Sequence, residues 1–230
     1  MTPLIVTQHE GVEVVREDLY PGGTKARLFG HLYEQHDAIV YACSAISCTQ
    51  ISLARASAVR QGTKAVVFCG ARATRTSQTQ AALGYGAELH EVRPGYLSVA
   101  KARASEYAKT TGAYVLPLGF DTMDMIDELA RIAGTVNPAP DEVWCAAGSG
   151  MLTRSLQWAW PNARHHAVQV GGACDVGIAT RHVHHSQFDK PSKFICPFPA
   201  EPHYEAKAWE VCSKEHGTGR VLFWNMMGPV

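Results

Sequence analysis

Apolar runs of about five residues alternate along this chain with longer stretches of helical spacing, and breaker residues separate the two. Residues 38–42 (AIVYA) read as a strand, residues 51–59 have helical character and close at Gln61-Gly62, and residues 64–69 read as the next strand, ending at Gly70. Helices are expected at 77–84 and 97–111, and strands at 87–92 and 114–117. Beyond Gly119 a helix is expected over 123–133, the breaker Asn137-Pro138-Ala139-Pro140 follows, and residues 142–147 form a strand. It runs through Gly148-Ser149-Gly150 into helical residues 152–158, and residues 167–172 close the unit as a further strand. Repeated βα units of this length predict an α/β fold of parallel β-sheets flanked by helices.

Composition narrows the class. The chain has 230 residues, 46% of them hydrophobic, enough to bury a substantial core in one large domain or two smaller ones. Lysine plus arginine equals aspartate plus glutamate at 21 each, so no global field would hold nucleic acid; any polyanion must be met locally. Residues 1–6 lack a basic region followed by a long apolar run, and no stretch reaches the length of a membrane span, which predicts a soluble cytoplasmic protein with no membrane contact. Seven scattered cysteines show no CxxC pairing, and most are expected to be small buried hydrophobes. Trp158 and Trp160 are expected in the core rather than on a stacking platform.

Three segments carry candidate chemistry. In Gly22-Gly23-Thr24-Lys25 a lysine opens an apolar helix after two glycines, where it can form a Schiff base with an aldehyde; many lysines after such turns are only solvated. The Gly148-Ser149-Gly150 turn between strand and helix presents backbone N–H groups suited to a phosphate, although any α/β protein can use a tight turn there. His182, His184 and His185 could ligate a metal, but no acidic or cysteine partner sits beside them at ligand spacing, so a solvated loop is expected and no metal is assigned. With Lys190, Lys193, Arg72, Arg75 and Arg164 these loops could instead touch a nucleic-acid backbone.

Taken in order, these pieces resemble the tryptophan-synthase-β-like, fold type II class of pyridoxal-phosphate enzymes. The nearest resemblance is to the branch holding 1-aminocyclopropane-1-carboxylate deaminase and D-cysteine desulfhydrase. Arg16-Glu17-Asp18 leading to Gly22-Gly23-Thr24-Lys25 is similar to the segment that ends in that branch's Schiff-base lysine. Ala45-Ile46-Ser47-Cys48-Thr49-Gln50 resembles its Gly-Ile-Gln-Ser-Asn-Gln loop, and Gly148-Ser149-Gly150-Met151-Leu152 its Gly-Ser-Gly-Gly-Thr phosphate loop. Tyr204-Glu205-Ala206-Lys207 is similar to the deaminase Tyr-Glu-Gly-Lys segment, and residues 220–225 to the closing strand.

The resemblance implies pyridoxal 5'-phosphate as cofactor, a homodimer, and a role for each residue. Lys25 would hold the cofactor and later move protons; Gly148, Ser149 and Gly150 would bind the phosphate; Thr49 would lie near the ring oxygen. Tyr204 would lie against the ring and Glu205 would face its nitrogen, favouring the protonated ring and carbanion chemistry; locally, both also suit an ordinary helix start. Ser47 and Gln50 would meet the substrate. Residues 1–36 with 119–230 would form a large cofactor-binding domain and residues 37–118 a small α/β domain.

Departures from the pattern shape the functional expectation. Thr24 and Thr49 replace asparagines, the second half of the phosphate loop is bulky, and the chain is markedly shorter than the resemblance leads one to expect, chiefly between Gly172 and Pro197. A reduced wall there implies an open pocket for an amine carried on something large. Compact members of the class resemble enzymes of phages that hypermodify thymine, which implies a lyase that decarboxylates a glycyl-thymine to an aminoethyl-uracil in DNA, in the host cytoplasm. The alternatives are a deaminase or desulfhydrase of a small free amino acid, and a non-catalytic protein that keeps the fold.

Overall fold

The structure, a computed structural model, describes residues 2–93 and 96–228; Met1 of the N-terminal stretch read above lies outside the described residues. The chain divides into two compact units, Met1–Tyr20 with Asp121–Pro229, and Pro21–Phe120.

The first unit is built on strands β1 (Val6–His9), β2 (Val12–Arg16), β7 (Glu142–Ala147), β8 (Arg164–Gln169), β9 (Thr180–Val183) and β10 (Val221–Asn225). They form one sheet in the order β1-β2-β10-β7-β8-β9, parallel throughout except for the β1–β2 hairpin. β7 and β10 are buried along their whole length, as strands covered on both faces must be. Side chains alternate between those faces. Trp144 packs with Trp209, Cys212 and Phe223, under helix α7 (Glu205–Glu215), whereas Cys145 lies against Thr153 of helix α6 (Met151–Ala159). On α5 (Met123–Ala133) Met125, Ile126, Leu129, Ile132 and Ala133 form one buried stripe, and Thr122 Oγ1 caps the helix by accepting from Met125 N.

The second unit holds a four-stranded parallel sheet of β3 (Ala38–Ala42), β4 (Lys64–Gly70), β5 (Glu88–Val92) and β6 (Tyr114–Val115), in the order β5-β4-β3-β6. Helix α4 (Leu97–Thr111) lays Ala100, Ala104 and Ala108 on β3 and β4; spaced every fourth residue, these small side chains let the helix approach the sheet closely. α1 (Gly23–Leu32) packs on α2 (Thr49–Ala58), and α3 (Ser77–Gly84) is capped by Thr76. The sequence grouped residues 21–36 with the larger domain; by packing, α1 belongs with Pro21–Phe120.

The α/β class and most elements stand where the pattern placed them; the β1–β2 hairpin, the bounds of β8 and the position of Trp158 differ. The β1–β2 hairpin went unread because its strands are short and its turn, with Glu10 at φ 52 and Gly11 at φ 83, uses glutamate where asparagine or aspartate would signal the conformation. β8 begins and ends earlier than the expected 167–172, since polar Arg164, His165 and His166 already pair with β7. Trp160 is 5% exposed and in the core, but Trp158 is 55% exposed. All seven cysteines are free, with Cys43, Cys69, Cys145 and Cys212 buried.

Glu142 ties three segments of the first unit together. Its carboxylate accepts from the Trp144 indole at 2.6 Å, from Gly217 N at 3.0 Å and from Arg164 at 2.9 Å. Burial pushes its pKa upward, but these donors outweigh burial and hold it below the ordinary carboxylate value. A lowered folded pKa contributes stability that is complete above the ordinary value and is lost as pH falls through the folded one. Glu142→Gln is therefore expected to lower the melting temperature at neutral pH and to flatten the acid limb of stability against pH. Thermal unfolding at a series of pH values checks this; an unchanged acid limb would contradict it.

Candidate active site

In the second unit, α1 starts at two glycines in left-handed conformations, Gly22 at φ 86 and Gly23 at φ 66. A side chain at Gly22 would meet Ala26, Arg55 and Ser52, and the Gly22 carbonyl accepts from Ser52 Oγ at 2.6 Å. Only a glycine fits that turn against α2. The turn sets Lys25 on the first turn of α1, half-buried, with Nζ donating to Thr49 Oγ1 at 3.0 Å and lying 5.4 Å from the Phe120 ring centre. Two of the residues singled out from sequence, Lys25 and Thr49, are thus in direct contact.

Thr49 opens α2 and is 3% exposed. The phenol of Tyr41, a residue near the end of β3 that sequence reasoning missed, lies beside the hydroxyls of Ser47 and Thr49. Burial, then the neighbouring Cys43, pushes the Tyr41 phenol up to about 12, against the pull of the Ser47 and Thr49 hydroxyls. Tyr41 therefore stays protonated, a fixed dipole on the lysine's hydrogen-bond partner. The only signal in the sequence was a tyrosine closing an apolar strand just before a polar loop.

Gln50 is fully buried, and its amide nitrogen donates to Ala45 O at 2.8 Å. The same carbonyl accepts from Thr76 at 2.6 Å and Thr79 at 3.2 Å, so three side chains brace the loop 45–50. The amide oxygen of Gln50 is buried and has no hydrogen-bond partner among the described residues. A buried acceptor left so is a place where a ligand donor gains more than it would on the surface.

In the first unit, Gly148-Ser149-Gly150 links β7 to α6, and α6 has no acidic residue in its first turn and no side-chain cap. Gly150, at φ 84, is the helix N-cap; a Cβ there would run into the Asp175 carbonyl oxygen. Gly148 and Ser149 are exposed, and a Cβ at Gly148 would lie 3.0 Å from the Tyr204 ring. A helix start with glycine at its N-cap and no acidic residue in its first turn offers N–H donors and the positive end of the helix dipole to an anion.

Tyr204 and Glu205 stand at the start of α7, beside this turn. The Tyr204 ring packs edge-on to Phe188 at 5.4 Å, and Glu205 is 4% exposed. Glu205 is close enough to Cys145 on β7 to help burial, the larger effect, hold that thiol up to about 12. Lys207, on the same helix, is fully buried and donates to Gln187 O at 2.8 Å; burial lowers its pKa. Sequence reasoning gave Lys207 no task, yet it fixes the segment that carries Phe188.

Arg16-Glu17-Asp18 has a structural explanation. Arg16 grips Asp18 with two 2.8 Å bonds, and Asp18 accepts from Asn225 at the end of β10, whose amide also donates to Pro199 O. The motif thereby anchors the run that leads to Tyr204. Of the basic residues considered for nucleic acid, Arg75 is paired with Glu91 and Arg164 with Glu142, while Arg72, Lys190 and Lys193 are exposed. The histidine loop differs from expectation: the fold brings Glu210 of α7 to His184 and His185, an acidic partner that spacing along the chain did not reveal.

The sequence profile of the pyridoxal-phosphate dependent enzyme family matches residues 2–222. The chain belongs to that family. Solved structures of the same fold include an ACC deaminase homologue, at 19% identity with a TM-score of 0.78, covering 94% of this chain and 84% of that one. O-ureido-L-serine synthase follows at 18% identity and TM-score 0.73, covering 99% and 88%. The processed form of threonine deaminase isoform 2 from Solanum lycopersicum is 15% identical with TM-score 0.70, covering 98% and 78%. No curated protein sequence matches the chain. Membership makes this a pyridoxal-phosphate-dependent enzyme of α/β fold, and among the described residues no helix is long and apolar enough to cross a membrane.

The glycine at position 150 is open to a direct test. Gly150→Ala is expected to lower stability by about 1–3 kcal/mol or more, from left-handed strain with a backbone clash added, and to weaken cofactor retention more than stability alone explains. Thermal unfolding and cofactor titration measure the two effects; a variant as stable as the parent would contradict the geometry.

Proposed function

We propose that the protein is a lyase that decarboxylates an amino acid carried on thymine, converting a glycyl-thymidine to an aminoethyl-deoxyuridine in phage DNA. Pyridoxal phosphate, when bound, supplies an electron sink for bonds at the α-carbon of an amine. Each unit by itself holds residues that suit that group: in the second, an amine on a fixed helix start for its aldehyde; in the first, a glycine turn at a helix start for its phosphate, with an aromatic ring and a buried carboxylate beside that turn.

The observation that carries the reading is the buried Glu205 next to Tyr204 and the Gly148 turn. Glu205 would be the carboxylate that favours the protonated ring, the form that accepts electrons best. Lys25 would be the amine that holds the aldehyde, with its Nζ set by Thr49 Oγ1, and the same nitrogen would return a proton to the α-carbon. The backbone N–H groups after Gly150 would hold the phosphate.

The preference for a large carried substrate rests on the segment between β8 and α7. It contributes one short edge strand, and Ile178, Val183 and Ile195 on it are 78%, 70% and 90% exposed. That surface supports an open approach better than a closed chamber for a free amino acid.

Incubating the holoenzyme with DNA or nucleoside bearing glycyl-thymine is expected to give a product lighter by one CO2, with no ammonia. Release of ammonia, a keto acid or sulfide from a small free amino acid, without reaction on the nucleoside, would replace this reading with the deaminase or desulfhydrase one. Cofactor absorbance without turnover on any amine would identify a non-catalytic relative. Glu205→Gln is expected to keep the cofactor and lower kcat by on the order of 10²-fold; unchanged kcat would remove the carboxylate from the account.

A further inference from the structure

After β9 the chain bends at His185, which breaks the alternation of an extended strand and turns two successive imidazoles to the same side. The rings of His184 and His185 lie 4.3 Å apart, centre to centre. Glu210, in the middle of α7, meets them: His184 Nε2 is 3.3 Å from Glu210 Oε2, and one ligand atom from each of the three residues lies within 4.8 Å of the other two.

We propose that His184, His185 and Glu210 form a binding site for one divalent ion of the zinc class, clipping the loop after β9 to α7. Two imidazoles and a carboxylate are a donor set that suits zinc, with the fourth position left to water. Bonds of about 2.1 Å in a tetrahedron separate ligand atoms by roughly 3.4 Å, so His184 and Glu210 already stand at coordination spacing. His185 is exposed and needs only a side-chain rotation to close the set.

The surroundings favour the ion. Ser186 N donates to His184 Nδ1 at 3.2 Å and Ser186 Oγ lies 2.8 Å from the same atom, which turns Nε2 toward the carboxylate. On metal binding the Nε2 proton passes to Nδ1, the Ser186 N–H gives up its bond to the ring, and Nδ1–H donates to Ser186 Oγ, the second-sphere bond that orients ligating histidines. Glu210 Oε1 is held by Lys214 at 3.1 Å, which leaves Oε2 for the metal. His184 has a side-chain exposure of 2% and Glu210 of 19%, so the site has a buried wall and one open side. The clip would join the edge of the sheet to the helix that begins at Tyr204 and Glu205, beside the links that His182 makes to Glu215 and Lys207 to Gln187 O.

The test uses tag-free holoenzyme, dialysed against chelator and titrated with Co2+ and Zn2+. One ion per chain is expected, with visible d–d bands of four-coordinate cobalt and a melting temperature raised by zinc. His185→Ala, at an exposed position, and Glu210→Gln, which keeps the shape, should each raise the metal Kd at least about tenfold. His216→Ala, a partly exposed histidine outside the cluster, should leave it unchanged. Absence of stoichiometric metal, or His185→Ala and Glu210→Gln proteins that bind as the parent does, would overturn the site whether or not the enzyme decarboxylates.

Discussion

A left-handed glycine at the first turn of a helix is the constraint on which the candidate site depends, and the protein uses it twice. Gly22 starts α1 at φ 86 and Gly150 starts α6 at φ 84, each without an acidic first turn and without a side-chain cap. In both places a Cβ would strike neighbouring atoms, so the backbone comes closer to its surroundings than any other residue permits. One turn presents an amine on a short, rigid base; the other presents N–H donors at the positive end of a helix. Loss of either glycine changes the position of a functional group before it changes any chemistry.

Around these turns, polar groups are held by networks rather than by single bonds. Thr49 connects Lys25 to Tyr41, and Tyr41 stays protonated because burial raises its pKa. Arg16, Asp18 and Asn225 tie the end of β10 to the segment before Tyr204, and Lys207 fixes the segment bearing Phe188. Buried polar networks of this kind are costly when incomplete, so each group in them restricts the geometry of the next. The cofactor's chemistry is general; these restraints decide which bond it is applied to.

Much of this was legible in the sequence, for physical reasons that can be named. β7 is apolar from Val143 to Ala147, so its burial in a parallel sheet could be read directly, β10 was read through the resemblance, and the glycines before Lys25 and after Ser149 marked turns that need positive φ. The β1–β2 hairpin was hidden by a turn residue of weak preference, and β8 by polar residues at its start. Tyr41, Lys207 and Glu210 were missed because their tasks depend on partners 8, 20 and 26 residues away that only the fold brings near. Spacing along the chain has no access to such meetings, and for Glu210 it pointed away from a metal.

The claim on which the rest turns is that Lys25, and not another lysine, carries the cofactor. Lys207 is the natural competitor, being fully buried with a lowered pKa, but its nitrogen is committed to the carbonyls of Gln187 and Phe188. Borohydride reduction of the cofactor-loaded protein, followed by peptide mapping, separates the two directly. The account predicts the reduced pyridoxyl mass on Lys25 and its loss in Lys25→Ala. The same mass on Lys207, or undiminished labelling of Lys25→Ala, would contradict it.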